Sequence, residues 1–141
     1  SNAKVIAAIK GQVDKIAFAH TGFFTSEPAE QLAQLLVDKA PGEMAKIYFT
    51  SGGSEAVEAA LKLARQYFLE RGESHRTLFI SREQSYHGNT LGALSVSGNV
   101  WRKEPFAPLM QVPNSISPCY AYRGQQAGEK EIQYGLRVAL N

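Results

Sequence analysis

The run Lys46-Ile47-Tyr48-Phe49-Thr50-Ser51-Gly52-Gly53-Ser54-Glu55-Ala56 holds two structural signals back to back. Lys46 to Thr50 is rich in β-branched and aromatic residues and reads as a short buried strand. Ser51-Gly52-Gly53-Ser54 is a turn, and a helix follows it directly. Ala56, Ala59, Ala60, Leu63, Ala64, Tyr67 and Phe68 recur at i, i+3, i+4, i+7, i+8, i+11 and i+12, an apolar helical stripe. Arg71-Gly72 closes that helix, with a cation in the last turn and glycine as C-cap. Thr77-Leu78-Phe79-Ile80-Ser81 then reads as a second strand. Strand, glycine turn, helix and strand form a βαβ unit, which predicts an α/β fold with a mostly parallel sheet and flanking helices.

Working outward from that unit, Ser26 is placed to cap a helix with Glu27 and Pro28 in its first turn. Leu32, Leu35 and Leu36 form its apolar face, and Pro41-Gly42 stops it. Before it, Val5, Ile6, Ile9, Val13 and Ile16 stand at rough helical spacing and lead to the turn His20-Thr21-Gly22-Phe23-Phe24. Ser1-Asn2-Ala3 reads as an expression scar and is set aside, so that residues 4–141 form the domain. Beyond Trp101, Pro105, Pro108, Pro113 and Pro118 predict a long irregular segment, of the kind that is functional or packs against another part of a larger protein.

Composition narrows the function classes. The 141 residues carry a net charge of +2, with 44% hydrophobic and 20% charged residues, as in an ordinary globular chain. There is no basic run for nucleic acid and no apolar run long enough to span a membrane. The single cysteine, Cys119, cannot form an internal disulfide and suits a reducing, cytoplasmic compartment. A lone cysteine is more often a packed small hydrophobe than a nucleophile. His20, His75 and His87 are not at ligand spacing, so no metal site is expected.

The chemistry concentrates at Gly52-Gly53-Ser54. Free backbone N–H groups and the positive end of the helix dipole make an anion site there, glycines let a phosphate approach, and the Ser54 hydroxyl adds a donor. The alternative is a tight turn and cap without a ligand. No G-x-x-x-x-G-K-[ST] and no G-x-G-x-x-G occurs, which removes the usual nucleotide loops. Gly52 to Ala56 is one residue away from a G-x-S-x-G nucleophile elbow, so a serine hydrolase using Ser54 is a rival reading. Its acid and histidine would have to come from Glu58, Glu70, Glu73 or Glu83 and from His75 or His87, crowded into a short stretch; both aspartates, Asp14 and Asp38, precede Ser54. Tyr86-His87-Gly88, directly after a strand, puts an aromatic plane at the same sheet edge as the glycine turn. An anion cradle beside an aromatic ring suits a phosphorylated aromatic ligand.

The string Phe49-Thr50-Ser51-Gly52-Gly53-Ser54-Glu55-Ala56, with Ala59-Ala60 and Lys62-Leu63-Ala64-Arg65, resembles the class III aminotransferases, pyridoxal 5′-phosphate enzymes of fold type I. Ser51 and Gly52 stand where Asn and Ser are common in that family. Tyr86-His87-Gly88 with Thr90, Gly92, Ala93, Leu94 and Ser95 resembles its Y-H-G-x-T-x-G-A-L-S motif. Pro105-Phe106-Ala107-Pro108-Leu109 and Cys119-Tyr120 resemble a later segment. The resemblance runs from about Val5 to Arg123. It implies that Gly52, Gly53 and Ser54, within a phosphate cradle at residues 51–55, hold the cofactor phosphate. It further implies that Tyr86 stacks on the pyridine ring and that His87 supports that face or its loop.

The family's chains are much longer, and the lysine that bonds the cofactor and the aspartate that pairs with its ring nitrogen both come after the Y-H-G motif. After Tyr86 this chain has Lys103 and Lys130, neither in a matching context, and no aspartate. The resemblance therefore implies part of the large domain, inactive as an aminotransferase by itself. The parent reaction would move an amino group between an amine or ω-amino acid and a 2-oxo acid. The alternative is a non-catalytic piece that binds a partner or a phosphorylated ligand. Surface that a whole enzyme buries is expected to drive self-association, as a homo-oligomer.

Overall fold

A computed structural model describes residues 2–111 and 114–140. The chain divides into two compact units, the first running through Tyr48 and the second starting at Phe49.

The first unit holds two helices, α1 (Ala3–Lys15) and α2 (Glu27–Lys39). Helix α1 starts within the stretch set aside as a scar: Asn2 is its N-cap, and its side-chain oxygen accepts from Lys4 N at 3.0 Å and Val5 N at 3.4 Å. Ser26 is the N-cap of α2 as expected, but its side chain makes no capping bond. The tie at that end runs instead from Thr25 Oγ1 to Glu30 Oε1, at 2.7 Å. Ala40 leaves the helix in extended backbone before Pro41, because a proline disfavours helical geometry in the residue before it. Neither helix has a buried residue, and Ile9 is 59% exposed.

The second unit begins with extended backbone and then α3 (Gly53–Glu70). The sequence predicts a strand over Lys46–Thr50, and the structure does not form one: residues 44–50 make no ladder. A strand exists by hydrogen bonding to a neighbour, and the described residues supply none at this position. The second predicted strand shifts to β1 (Ile80–Arg82), which pairs in parallel with β2 (Asn114–Ile116), Ser81 facing Ser115. The two-stranded sheet is parallel, as expected of an α/β fold, although its partner strand comes from the proline-rich region rather than from the turn before α3.

The crossover between the strands is less irregular than its prolines suggest. It contains α4 (Leu91–Val96), α5 (Val100–Lys103) and a 3-10 turn (Glu104–Leu109). After β2 come α6 (Ala121–Gly124) and α7 (Glu131–Leu140). The core is small: Ala93, Leu94, Tyr134 and Val138 are its buried apolar residues. Tyr134 organises one end of it, accepting from Tyr120 N at 2.9 Å and donating to Pro118 O at 2.8 Å. Arg137 bonds both Glu129 oxygens at 2.8 Å, and together with the Gln126 N–H it holds that carboxyl down at about 2.

The apolar stripe read on α3 is turned outward. Ala56, Ala60, Leu63 and Tyr67 are exposed, Leu63 by 66%, while Val57, Glu58, Leu61, Ala64 and Phe68 are partly covered.

Candidate functional site

The glycine turn lies at the start of α3. Gly52 is the N-cap in ordinary extended backbone, φ −164° and ψ 167°, and a Cβ added to Gly52 or Gly53 would meet nothing within 4 Å. Conformation does not require glycine at Gly52, and the space in front of both residues is open. The first-turn N–H groups of an α-helix have no partner within the helix, so this end offers donors to an approaching anion. Glu55, also in the first turn, reaches back to accept from Ser51 N at 2.9 Å. Its carboxylate therefore stays at the same end of the helix, tied to the turn.

The Tyr86 loop is fastened to this end of α3 at two points. Ser54 Oγ accepts from Asn89 N at 3.0 Å and donates to Asn89 Oδ1 at 3.1 Å. One helical turn further on, Glu58 Oε1 accepts from Thr90 Oγ1 at 2.6 Å and from Ala93 N at 3.1 Å. The Thr90 hydroxyl, aided by the Ala93 and Gly92 N–H groups and the Lys62 charge, holds the Glu58 carboxyl below its ordinary value against the opposing effect of burial. Thr90 is the N-cap of α4, so Glu58 serves as a capping carboxylate supplied from another helix.

Gly88 makes the approach possible. Its φ of +134° disfavours any side chain, and a Cβ there would come 2.5 Å from Ser54 Oγ and 2.9 Å from Ser54 Cα. On the other side of the loop, Ser97 Oγ accepts from His87 N at 3.0 Å and donates to Ala93 O at 2.9 Å. Lys103 Nζ closes the C-terminal end of α4 by donating to Ser95 O at 2.8 Å and Ser97 O at 2.9 Å; burial lowers its pKa.

The structure thus brings Ser54 against Gly88 and Asn89, at the end of the loop that carries Tyr86 and His87. Tyr86 is 59% exposed, and the Arg102 guanidinium lies 5.3 Å from its ring centre. The Ser54 hydroxyl is not free, since both its bonds go to Asn89. Among the described residues no histidine or carboxylate hydrogen-bonds to Ser54 Oγ, so the hydrolase triad is not assembled. No group of three or more His, Cys, Asp or Glu residues is placed to hold a metal among the described residues. Cys119 is exposed rather than packed.

Sequence reasoning assigned no role to Asn89 or Ser97, took Thr90 only as part of a motif and Lys103 only as a lysine out of context, and weighed Glu58 only as a triad acid. Two signals were there to be read: Glu58 stands four residues after Ser54 on one helix face, and a threonine directly before an apolar run is a helix cap. Nothing local marks Asn89 or Lys103, whose partners are set by the fold.

Comparison with known proteins identifies the family. The chain matches the aminotransferase class-III family over residues 1–137. It is 45% identical over 139 residues to an uncharacterized aminotransferase of Schizosaccharomyces pombe, covering 98% of this chain and 30% of that protein. It is 41% identical over 123 residues to the adenosylmethionine-8-amino-7-oxononanoate aminotransferase of Methanocaldococcus jannaschii, covering 87% of this chain and 27% of that protein. Among solved structures, the omega transaminase of Pseudomonas jessenii in complex with PMP superposes with a TM-score of 0.91 at 30% identity, covering 99% of this chain and 31% of that one. The chain spans less than a third of the length of these relatives. Matched by the family model over residues 1–137 and by these relatives, the chain belongs to the class III aminotransferase family.

Proposed function

We propose that this chain carries the phosphate-binding and ring-stacking half of a pyridoxal 5′-phosphate site. The observation that carries this reading is the junction at α3, where an open glycine turn is hydrogen-bonded to the loop bearing an exposed tyrosine. The donors fit the group: the first-turn N–H groups, with no Cβ in front of Gly52 or Gly53, suit a phosphate. The Ser54 hydroxyl, which accepts from Asn89 N, would donate to a phosphate oxygen in place of Asn89 Oδ1. Tyr86 offers the ring face opposite Arg102, and His87, its N–H held by Ser97, lines the same loop. When bound, the cofactor supplies an electron sink for the carbon that bears the amino group.

The whole protein's reaction, on this reading, transfers an amino group between an amine or ω-amino acid and a 2-oxo acid. Its setting is the cytoplasm, supported by the single cysteine, and its form a homo-oligomer, supported by the exposed apolar faces of α1, α2 and α3. No described helix is long and apolar enough to cross a membrane. This chain by itself is expected to show no turnover, because the Lys103 ammonium is spent on the end of α4. Titration with pyridoxal 5′-phosphate, followed by absorbance and competed with inorganic phosphate, tests the site. Saturable, phosphate-competed binding that weakens in Tyr86→Ala is expected, and absence of saturable binding would sink the reading.

A further inference from the structure

Glu58 touches nothing that the proposed site uses directly, yet its carboxylate is tied twice to the segment that follows the Tyr86 loop. It takes the Thr90 hydroxyl and the Ala93 N–H on one oxygen. Gly92 leaves room for it, since a Cβ there would stand 2.6 Å from Glu58 Oε1 and 2.8 Å from Cδ. Its receiving end is buried and hydrogen-bonded: Ala93 is fully buried, Leu94 and Ser95 are buried beside it, and Lys103 closes the far end of α4. Together with the Ser54–Asn89 pair one turn earlier, it makes a two-rung ladder between α3 and residues 89–93. A single rung leaves the loop free to swing about Ser54; two rungs fix its angle.

We propose that Glu58 is a positioning residue, tying the segment that carries Tyr86 to α3 and so setting where the Tyr86 ring stands relative to the phosphate turn. This deepens the cofactor reading above and rests on it. The inorganic phosphate ion needs only the α3 turn, whereas pyridoxal 5′-phosphate needs the turn and the ring in register. Loss of the tie should therefore separate the two ligands, which simple unfolding cannot do.

The test uses the full chain and its Glu58→Ala, Glu58→Gln and Thr90→Val variants. Amide exchange is followed in residues 86–97 and in α7, and affinities are measured for pyridoxal 5′-phosphate and for inorganic phosphate. In Glu58→Ala, exchange in 86–97 is expected to quicken about tenfold with α7 unchanged. Pyridoxal 5′-phosphate should bind about tenfold more weakly, while inorganic phosphate stays within about twofold. Glu58→Gln, which keeps a neutral acceptor, should recover part of both effects. Thr90→Val, a milder change, should move both in the same direction and keeps the test alive if Glu58→Ala fails to fold. Equal weakening of both ligands, or unchanged pyridoxal 5′-phosphate affinity despite faster exchange, overturns the positioning role. An unmodified chain that binds neither ligand overturns the cofactor reading itself, and the positioning role with it.

Discussion

Helices α1 and α2 and the α3–α4 junction are built from the same kind of amphipathic sequence, yet they are held in opposite ways. The helices of the first unit have caps, intrahelical pairs such as Gln34–Asp38, and no buried residue. The junction has fewer helical turns but a set of long-range polar ties, Ser54 to Asn89 and Glu58 to Thr90 and Ala93, fitted around glycines that admit no side chain. The difference teaches where position matters. Apolar faces without partners tolerate adjustment and await a covering surface, whereas a site that must hold atoms in register is fastened by directional bonds.

The contrast can be broken most severely at Gly88. Gly88→Ala combines an unfavourable positive φ with overlap on Ser54, and should cost about 2–4 kcal/mol in denaturant unfolding of the second unit. A cost near zero would mean that the loop does not press on α3. Ser54→Ala removes both bonds to Asn89 and should cost about 1–2 kcal/mol, with faster amide exchange at residues 86–90.

Acid sharpens the comparison through Glu58. Its folded pKa lies below the ordinary 4.5, so its contribution is complete above that value and is lost as pH falls through the lower folded pKa. Protection of residues 86–97 should therefore persist below the ordinary carboxylate value and fade only as the pH falls further, and Glu58→Gln should flatten that profile. The smallest effect belongs to the first unit. Ile9→Ser on the exposed face of α1 should shift stability by no more than about 0.5 kcal/mol in a thermal melt followed by circular dichroism. A loss of several times that would show that α1 is packed after all.

Much of this architecture was readable from residue order. The bounds of α2 and α3 follow from periodicity and stop signals, and the parallel α/β character follows from strand, glycine turn and helix. The two halves of the proposed site, Gly52-Gly53-Ser54 and Tyr86-His87-Gly88, stand out as local motifs because the features that mark them are local: glycines beside a helix start, an aromatic after a strand. One reading failed: Lys46–Thr50 has strand composition, but a strand needs a neighbour that the described residues do not provide there. The stripe from Ala56 to Phe68 does form its helix, with Ala59, Ala64 and Phe68 partly covered.

What periodicity and motif reading could reach were the helices and the residue types of the two motifs. The fold alone settled which β-strand β1 pairs with, that the Ser54 hydroxyl is occupied by Asn89, and that Glu58 caps a helix thirty-odd positions away rather than serving an acid role. Helical spacing and capping act over one to two turns of chain and leave a mark in the sequence. A bond between residues 35 apart leaves none, because either partner alone is an ordinary polar side chain until the crossover brings them within 3 Å.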